Sequence, residues 1–391
     1  MNIKVLCVVG ARPNFIKIAP LMRSFARWPR FDARLVHTGQ HYDARLSDIF
    51  FRQLEIQVPD VDLGVGPGTQ TVQTAEIMRR FEPVLEAEQP HAVLVVGDVS
   101  STIACALAAA KFQRRDSFGW AGKSRFRPVI VHVEAGLRSF DDDMPEEMNR
   151  RLTDVLSDLL FVSEPSGLVN LAREGVDGDR AHFVGNVMID SLLKARDEAL
   201  RSDVLDRLGL GGREYGLVTL HRPGNVDDPE ALRALLAILD AVAERLHLVF
   251  PVHPRTRARL EGVGVELRGS RWTLLEPVGY LEFVALQASA RLVLTDSGGI
   301  QEETTALGVP CITLRDNTER PCTVSEGTNR IAGTSRDGIL RAFDLALLPA
   351  QDGKKRALPK HWDGHAAERV AAVLADRFGI GANEAHGRRI A

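Results

Sequence analysis

Four titratable side chains stand at the ends of predicted strands and helices, which is where α/β proteins place their chemistry. Asp98 and Glu134 end two apolar runs, His221 lies just beyond a third, and Glu146 opens a helical stretch. A carboxylate at the end of an apolar strand either meets a cation or faces a cleft with a raised pKa, and such groups serve as general acids and bases. Singly, Asp98 could be a helix cap and Glu146 a complement to a helix dipole. The four together favour an acid/base site.

Two turns have the features of an anion-binding site. The first, GARPNFIK, leads from the first strand into a helix and contains Arg12 and Lys17. The second, TDSGGIQEE, starts a helix with Ser297–Gly299 and places Glu303 in its early turns. Helix N-termini attract phosphates, Ser297 is suited to cap the helix, and two glycines let a phosphate approach backbone N–H groups. Glu303 is suited to accept hydrogen bonds from ribose hydroxyls, although ordinary βα turns contain the same residue types.

Other chemistries lack their motifs. The chain has no GxGxxG, P-loop, HExxH, EF-hand loop or GxSxG, which argues against a tightly bound NAD, a metal and a nucleophilic serine. The triplet Asp141–Asp143 is more typical of a solvated loop than of a metal site. Cys7, Cys105 and Cys311 stand in apolar runs with no CxxC spacing, which indicates buried thiols.

The composition excludes several further classes of function. The 391 residues carry 49 Lys and Arg against 52 Asp and Glu, a net charge of −3, whereas nucleic-acid binding favours a basic stripe. Aromatic residues make up 6% of the chain, too few for base-stacking platforms. No run approaches the ~18 apolar residues that span a bilayer, and the N-terminal run is too short for a signal peptide. We therefore expect a cytoplasmic protein without nucleic-acid or membrane partners.

The elements that must position these residues alternate between short apolar strands and amphipathic helices, a pattern that predicts parallel sheets covered by helices on both faces. The predicted strands are 3–9, 34–37, 92–97, 129–133, 159–162, 182–184, 216–220, 247–252, 272–275, 290–295 and 310–314. The predicted helices include 70–88, 101–112, 147–158, 188–208, 229–245 and 336–348. Residues 113–127 are predicted to form a polar insertion. These strands outnumber those of a typical open sheet, so they indicate two separate sheets.

The two sets of strands divide near residues 184–187. We predict a Rossmann-like domain over 1–185, a second, nucleotide-binding one over 186–362, and a C-terminal helix, 363–378, that packs back on the first. Ligands of open α/β sheets bind at the carboxyl ends of strands, and domain interfaces are favoured sites. We therefore expect two doubly wound domains facing a cleft.

Long motifs in this chain resemble those of the non-hydrolysing UDP-N-acetylglucosamine 2-epimerase family. The match keeps order and spacing from residue 3 to about 376. It includes GARPNFIKIAPL, HTGQHYD, GDVSST, HVEAGLRS, MPEEMNRRLTD, VGNVMID, VTLHRPGNVDDPE, PVHPRTR, TDSGGIQEETTALGVPCITLRDNTERP and EGTN. The resemblance implies a glycosyltransferase-B-like fold with a nucleotide sugar in the interdomain cleft, and it suggests a homodimer.

The resemblance also implies a chemistry that needs neither NAD nor a metal. A base removes the proton on sugar carbon 2 and UDP leaves from carbon 1, which gives a 2-acetamidoglucal. UDP then adds back while the proton returns on the opposite face, so that UDP-N-acetylglucosamine becomes UDP-N-acetylmannosamine. Moving this proton requires acid/base groups with pKa values near neutrality, and the departing diphosphate requires helix N-termini and cations.

The matching motifs imply roles for individual residues. Asp98, Glu134 and Glu146 match the family's acid/base carboxylates, although which is the base in each direction stays open, and His221 matches its functional histidine. The residues that match substrate-binding positions are Arg12 and Lys17 at the phosphate and active-site end, Phe283 near the uracil, Ser297, Gly298 and Gly299 in the diphosphate-binding turn, and Glu303 at the ribose.

Two departures from the family pattern leave the identity of the sugar open. The common HRREN is HRPGN at 221–225 here, and the common RPE is RPN at 12–14. The catalytic positions are kept, so epimerisation stays favoured, with a related UDP-N-acetylhexosamine such as a diacetamido-uronic acid as an alternative substrate. Further alternatives are a hydrolysing 2-epimerase that releases UDP and N-acetylmannosamine, a glycosyltransferase on the same fold, and a non-catalytic nucleotide-sugar sensor.

Overall fold

The computed structural model describes residues 2–39, 53–252, 254–263, 267, 271–348 and 358–381. The chain divides into two compact units, one made of Met1–Ser191 with Lys360–Ala391 and the other of Leu192–Pro359. Each unit is built on one large sheet in which all described strand pairs are parallel. The α/β class predicted from the alternation of elements is therefore confirmed.

The first unit contains nine strands among its described residues. They are β1 (Ile3–Val9), β2 (Phe31–His37), β3 (Val61–Asp62), β4 (Ala92–Val96), β5 (Phe118–Trp120), β6 (Lys123–Arg125), β7 (Val129–Ala135), β8 (Leu159–Val162) and β9 (Ala181–Phe183). Seven of them form a sheet in the order β3-β2-β1-β4-β7-β8-β9, and β5 with β6 forms a separate antiparallel hairpin. From β1 the chain adds strands first on one side and then, from β4 onward, on the other. The strand order therefore reverses between β1 and β4.

Helices connect the strands of the first unit. They are α1 (Arg12–Phe25), α2 (Gln70–Glu88), α3 (Ser100–Lys111), α4 (Pro145–Leu156) and α5 (Pro165–Arg173), followed by a 3₁₀ turn (Gly178–Arg180) and by α6 (Val187–Ala199), in which the division between the units falls.

The second unit repeats this plan on a smaller scale. Its strands are β10 (Tyr215–Thr219), β11 (His247–Pro251), β12 (Trp272–Leu275), β13 (Leu292–Thr295), β14 (Cys311–Thr313) and β15 (Asn329–Ile331). Its helices are α7 (Val204–Arg207), α8 (Pro223–Val226), α9 (Pro229–Ala243), α10 (Pro254–Val263), α11 (Tyr280–Ser289), α12 (Gly298–Leu307), α13 (Cys322–Ser325) and α14 (Arg336–Leu347). The sheet order is β12-β11-β10-β13-β14-β15, so the reversal lies between β10 and β13.

The central strands are buried on both faces, which explains their continuous apolar sequences. Every residue of β4 (AVLVV) and β7 (VIVHVEA) is buried. Helices supply the covering layers; α2, for example, contributes Ile77, Phe81 and Leu85, which recur every four residues on one face. Burial of each such side chain contributes about 1.5–3 kcal/mol, so these rows hold helix to sheet.

The helix predicted over 188–208 is wrong in its extent. The structure has two helices, α6 and α7, separated by a turn at residues 200–203. Ser202 Oγ accepts a hydrogen bond from Val204 N at 3.3 Å. Serine and aspartate side chains compete with the helix for backbone N–H groups, so Ser202-Asp203 begins a new helix instead of continuing the old one.

The polar insertion predicted over 113–127 contains the β5–β6 hairpin. Its two turn residues, Ala121 and Gly122, have φ of 47° and 76°. Two consecutive left-handed residues give a turn whose twist matches that of the flanking strands. Alanine is uncommon at the first of these positions, so the sequence lacks the Asn-Gly signal that would have indicated the hairpin.

The last helix, α15 (Ala366–Arg377), packs against α1 of the first unit. The carboxylate of Asp190 accepts hydrogen bonds from Ala366 N at 3.1 Å and Ala367 N at 2.8 Å. Trp362 Nε1 donates to Ser163 O at 3.0 Å. These bonds fasten the C-terminal segment to the first unit.

All four cysteines are buried free thiols, which confirms the prediction from the apolar runs around Cys7, Cys105 and Cys311. Within the described ranges, no helix has the length and apolar character needed to cross a membrane. Over the same ranges, no group of three His, Cys, Asp or Glu side chains is arranged to hold a metal ion.

Candidate active site

Three of the predicted site residues lie where the central strands of the first unit end. Lys17 is in α1, which follows β1, Asp98 is in the turn after β4, and Glu134 is the next-to-last residue of β7. These strands are neighbours in the sheet. Because parallel strands present their carboxyl ends at one edge, and ligands bind where the strand order reverses, this edge of the first unit is the candidate active site.

Glu134 forms an ion pair with Lys17, and each side chain is only 8% exposed. The backbone of Glu134 is left-handed, with φ of 72°, and the pairing of β7 with β8 shifts register between Val133 and Ala135. Such a bulge re-aims a side chain, and the strained conformation costs on the order of 1–3 kcal/mol. The pair lies against Gly97, where a Cβ would be 3.1 Å from Lys17 Nζ and 3.6 Å from Glu134 Oε2. The ion pair therefore borders the turn that follows β4.

Asp98 contacts a cation and is not the cap of α3, so the cap explanation is wrong: the N-cap residue is Val99. Arg150 Nη2 donates to Asp98 Oδ2 at 2.5 Å. Asn149 Nδ2 donates to the backbone oxygen of Asp98 at 2.9 Å. Since Asn149 and Arg150 both belong to α4, this helix holds the turn that carries Asp98.

Two adjacent glutamates open α4 and differ in their burial. Glu147 is buried and accepts hydrogen bonds from Ser139 N at 2.9 Å, Ser139 Oγ at 3.0 Å and Arg150 Nη1 at 2.7 Å. It therefore ties the loop before α4 to the helix. Glu146 is partly exposed in the first turn of the same helix. Its role as an acid or base stays a prediction.

In the second unit, His221 follows β10 and Asp296 follows β13, the two strands at which the order reverses. Asp296 is fully buried and accepts hydrogen bonds from His221 N at 3.1 Å, Arg222 N at 3.0 Å and Asn225 Nδ2 at 3.2 Å. Burial alone would raise the pKa of Asp296, but these donors and the imidazole of His221 hold it below its ordinary value. The His221 side chain is 51% exposed, with Nδ1 2.9 Å from Asp296 Oδ1. Asp296 thus orients an accessible imidazole, as the carboxylate of a catalytic triad does.

The start of α12 combines a helix N-terminus with a guanidinium. Ser297 is the N-cap residue, as predicted, but its hydroxyl makes no capping hydrogen bond. Gly298 and Gly299 are the first two helical residues, and a Cβ on Gly298 would lie 2.4 Å from Arg320 Nη1. Any side chain at position 298 would therefore displace the guanidinium. Helix N-termini and arginines are both favoured phosphate ligands, so this turn is suited to a diphosphate.

Glu303 lies in the middle of α12 and is buried. Burial, with a smaller effect from the neighbouring Glu302, raises the pKa of Glu303 to about 8. Near neutral pH the carboxyl is therefore mostly protonated and can donate as well as accept hydrogen bonds. Ribose hydroxyls also do both, so a neutral carboxyl suits the predicted contact.

The stability of the Glu303→Gln variant should depend less on pH than that of the wild type in the range between pH 4.5 and about 8. The folded protein holds a proton on Glu303 up to about pH 8, whereas the unfolded chain releases it near the ordinary value of 4.5. The free energy of unfolding of the wild type therefore falls as pH rises between these values, and the variant lacks this fall. Urea unfolding without nucleotide at pH 5, 6.5 and 8 measures the gap between the free energies of unfolding of the wild type and the variant. The exposed Glu326→Gln is the matched control. A gap that does not change with pH would contradict a buried, protonated Glu303.

For two of the predicted substrate-binding residues, the structure shows which helix contains them. Arg12 is the first residue of α1, and its side chain lies outside the described residues. Phe283 is a partly buried residue of α11 in the second unit. Their roles stay predictions.

Sequence reasoning missed the partners that hold the candidate residues in place. Arg150, Asp296 and Arg320 all stand inside the motifs quoted above, but only the fold shows what they contact. A usable signal existed for Arg150, which follows Glu147 by three residues and so shares a helix face with it. Asp296 is the first carboxylate after β13, where ligand-facing groups are expected.

Known proteins are similar to this one over most of the chain. The family model for UDP-N-acetylglucosamine 2-epimerase matches residues 23–375. A UDP-N-acetylglucosamine 2-epimerase homolog from Methanococcus maripaludis is 42% identical over 342 residues, 86% of this chain and 90% of the relative. The UDP-2,3-diacetamido-2,3-dideoxy-D-glucuronate 2-epimerase of Pseudomonas aeruginosa is 39% identical over 378 residues, 95% of this chain and 99% of the relative.

The fold is also similar to solved structures. The crystal structure of Methanocaldococcus jannaschii UDP-GlcNAc 2-epimerase in complex with UDP-GlcNAc and UDP has a TM-score of 0.85 at 36% identity, and the match covers 96% of this chain and 100% of that one. This similarity confirms the predicted two-domain, glycosyltransferase-B-like class. Since the family model spans most of the chain and both relatives are matched over nearly their full length, this protein belongs to the UDP-N-acetylglucosamine 2-epimerase family.

Proposed function

We propose that this protein catalyses the reversible epimerisation of UDP-N-acetylglucosamine at carbon 2, giving UDP-N-acetylmannosamine without hydrolysis of the sugar nucleotide. The proposed route is anti elimination of UDP and re-addition through a 2-acetamidoglucal intermediate. The observation that carries the proposal is the presence of two carboxylate–cation contacts, Glu134–Lys17 and Asp98–Arg150, at the carboxyl ends of adjacent strands. Carboxylates in different surroundings are suited to separate acid and base roles.

The proposed elimination needs one carboxylate as base. This group takes the proton from carbon 2, the electron pair forms the double bond between carbons 1 and 2, and the bond from carbon 1 to the UDP oxygen breaks. In the reverse addition, that oxygen attacks carbon 1 while a protonated acid delivers a proton to the opposite face of carbon 2. Lys17 and Arg150 hold Glu134 and Asp98 in fixed orientations, which proton transfer requires.

We assign binding of UDP to the second unit. The turn at the start of α12 and Arg320 would bind the diphosphate, because a helix N-terminus and a guanidinium stabilise the charge that UDP carries as it leaves. Glu303 would contact the ribose and Phe283 the uracil. His221, oriented by Asp296, would act near the departing oxygen.

UDP-N-acetylglucosamine is the preferred substrate because it gives its name to the matching family. The relative from Pseudomonas aeruginosa makes UDP-diacetamido-glucuronate the second candidate. One departure from the family motifs, Asn14, has a local structural role: it accepts a hydrogen bond from Ala11 N at 3.2 Å and donates one to Val96 O at 2.9 Å. The other departure, Pro223-Gly224, forms the first two residues of α8.

Exchange of the carbon-2 proton tests the proposal. In D₂O, the protein incubated with UDP-N-acetylglucosamine alone should incorporate deuterium at carbon 2 and form UDP-N-acetylmannosamine, as followed by NMR. Accumulation of UDP and free N-acetylmannosamine would instead identify a hydrolysing enzyme. Exchange only with UDP-diacetamido-glucuronate would reassign the substrate. Absence of exchange with any UDP-N-acetylhexosamine would exclude the epimerase and favour a nucleotide-sugar sensor.

We also propose that the reaction uses no NAD, because neither the elimination nor the re-addition transfers a hydride, and that it uses no metal. Turnover should therefore persist after gel filtration in EDTA and without added NAD.

A homodimer is our proposal for the assembly. Met148, Leu152 and Val155 form a row along α4, exposed by 47%, 47% and 71%, and an apolar row of this kind is suited to a protein contact. Sedimentation analysis measures the assembly directly.

A further inference from the structure

His132 stands in the middle of β7, two residues before Glu134, and is fully buried. Both of its ring nitrogens have partners. Nδ1 lies 2.7 Å from Asp154 Oδ1, and Nε2 lies 2.8 Å from the backbone oxygen of Gly97. The ring therefore joins the strand that carries Glu134 to α4 on one side and to the end of β4 on the other.

The partners of His132 determine its charge. A backbone oxygen only accepts, so Nε2 must carry a proton. Asp154 accepts two further hydrogen bonds at Oδ2, from Gly136 N at 3.1 Å and from Arg138 Nη2 at 2.7 Å, which is the behaviour of an ionised carboxylate. Both ring nitrogens of His132 therefore face oxygen atoms that accept hydrogen bonds, an arrangement that matches an imidazolium.

The charges around the ring balance. Arg138 also contacts Glu174, with Nη2 and Oε2 2.7 Å apart. The imidazolium and the guanidinium are thus matched by two carboxylates, Asp154 and Glu174. His132, Asp154 and Arg138 are buried, whereas Glu174 is exposed. Buried charges that are paired and hydrogen-bonded form a rigid network, because any displacement leaves a charge unpaired in a low dielectric.

This network touches the candidate active site at two backbone positions. The Gly97 oxygen that accepts from His132 immediately precedes Asp98. The Gly136 N–H that donates to Asp154 follows Glu134 by two residues, in the turn where φ is 79°. The network therefore fixes the backbone on both sides of the ion pair between Glu134 and Lys17.

We propose that His132 is a positioning residue whose imidazolium, held between Asp154 and the Gly97 carbonyl, sets the relative position of Asp98 and Glu134. The proposal rests on the proposed function, since it assigns the two carboxylates to proton transfer. His132 does not touch the substrate; it acts through the turn that bears Asp98 and through the strand that bears Glu134.

Kinetics of His132→Gln test the proposal. A misplacement of about 1 Å can cost about 10²-fold in rate, so we expect kcat for carbon-2 exchange to fall by about that factor. KM for UDP-N-acetylglucosamine should change by less than about threefold, because the nucleotide contacts assigned above lie in the second unit. His182→Gln, in β9 of the same sheet, is the matched control and should retain wild-type kcat. Rates are taken per folded molecule, with the folded fraction from urea unfolding.

A double-mutant cycle adds a readout that a purely structural role would not give. Asp154→Asn should lower kcat like His132→Gln, and the double variant should lose little more than either single one, because both remove the same link. Full additivity of the two losses would overturn the shared positioning role. Wild-type kcat in folded His132→Gln would also overturn it.

The charge state can be measured independently of activity. In protein labelled with ¹⁵N-histidine, the His132 ring, assigned by its loss in His132→Gln, should show two directly bonded N–H signals. A ring with one bare nitrogen would overturn the imidazolium. If the wild type exchanges no carbon-2 proton, the proposed function fails while this spectrum still decides the charge of His132. If the wild type exchanges normally and His132→Gln does as well, only the positioning role fails.

Discussion

Glu134→Gln is expected to slow exchange of the carbon-2 proton of UDP-N-acetylglucosamine by about 10²–10⁴-fold, the usual contribution of a general acid or base. The side chain is 8% exposed, paired with Lys17, and projected from a bulge at the end of β7. Glutamine keeps its length and shape, but an amide does not take up a proton near neutral pH. NMR in D₂O, with rates expressed per folded molecule, measures the loss.

The effect of breaking the ion pair with Lys17 must be separated from the effect of removing an acid/base group. Breaking a buried pair costs about 3–5 kcal/mol, because Lys17 keeps its charge after losing the carboxylate of Glu134. The Lys17→Met/Glu134→Gln double variant removes both charges and should recover part of this stability while exchange stays slow. Glu88→Gln is the matched control, since it breaks the 2.9 Å pair with Lys4 at the start of β1. That control should exchange at the wild-type rate, and a folded Glu134→Gln that also does so would contradict the site assignment.

The parts of the fold that could be predicted are those in which burial produces a recognisable pattern of apolar residues in the sequence. The strand over 3–9 and the helix over 70–88 have the predicted bounds because apolar residues fill the strand and recur every four residues in the helix. β3, with two residues, and β15, with three, are too short to show any period. The break between α6 and α7 depends on one side-chain hydrogen bond, from Val204 N to Ser202 Oγ, which no periodicity reveals.

The candidate site was predictable as a set of positions but not as a set of contacts. Residues just after strands mark the ligand-binding edge, and this rule finds Asp98, Glu134 and His221 without knowledge of the sheet order. Their partners depend on that order. Lys17 is separated from Glu134 by well over a hundred residues, and Arg150 follows Asp98 by 52. The left-handed backbone of Glu134 was equally invisible, because a non-glycine residue gives no local signal for a positive φ.

Asp296→Asn is expected to lower the free energy of unfolding by about 2–4 kcal/mol near neutral pH, because hydrogen bonds to a charged group contribute about 1.5–3 kcal/mol each. The carboxylate is fully buried and accepts from His221, Arg222 and Asn225. An amide accepts through one oxygen only, and its NH₂ group would point at donors that need an acceptor. The imidazole of His221 would lose its orienting partner, so turnover should fall as well. Urea unfolding of the full chain measures the stability.

The pH dependence of the stability loss distinguishes the loss of the Asp296 charge from a steric effect of the amide. Because the donors around it lower the pKa of Asp296 below its ordinary value of 3.8, the stabilisation it provides is fully present above that value. It is lost as pH falls toward the folded-state pKa. The difference in stability between wild type and Asp296→Asn should therefore be fully present at pH 5 and shrink below pH 4. Asp228→Asn, at the exposed N-cap of α9, is the matched control, since asparagine caps as well as aspartate. Equal stabilities of the two variants, or a gap that grows in acid, would show that Asp296 is not the buried carboxylate that holds His221 in place.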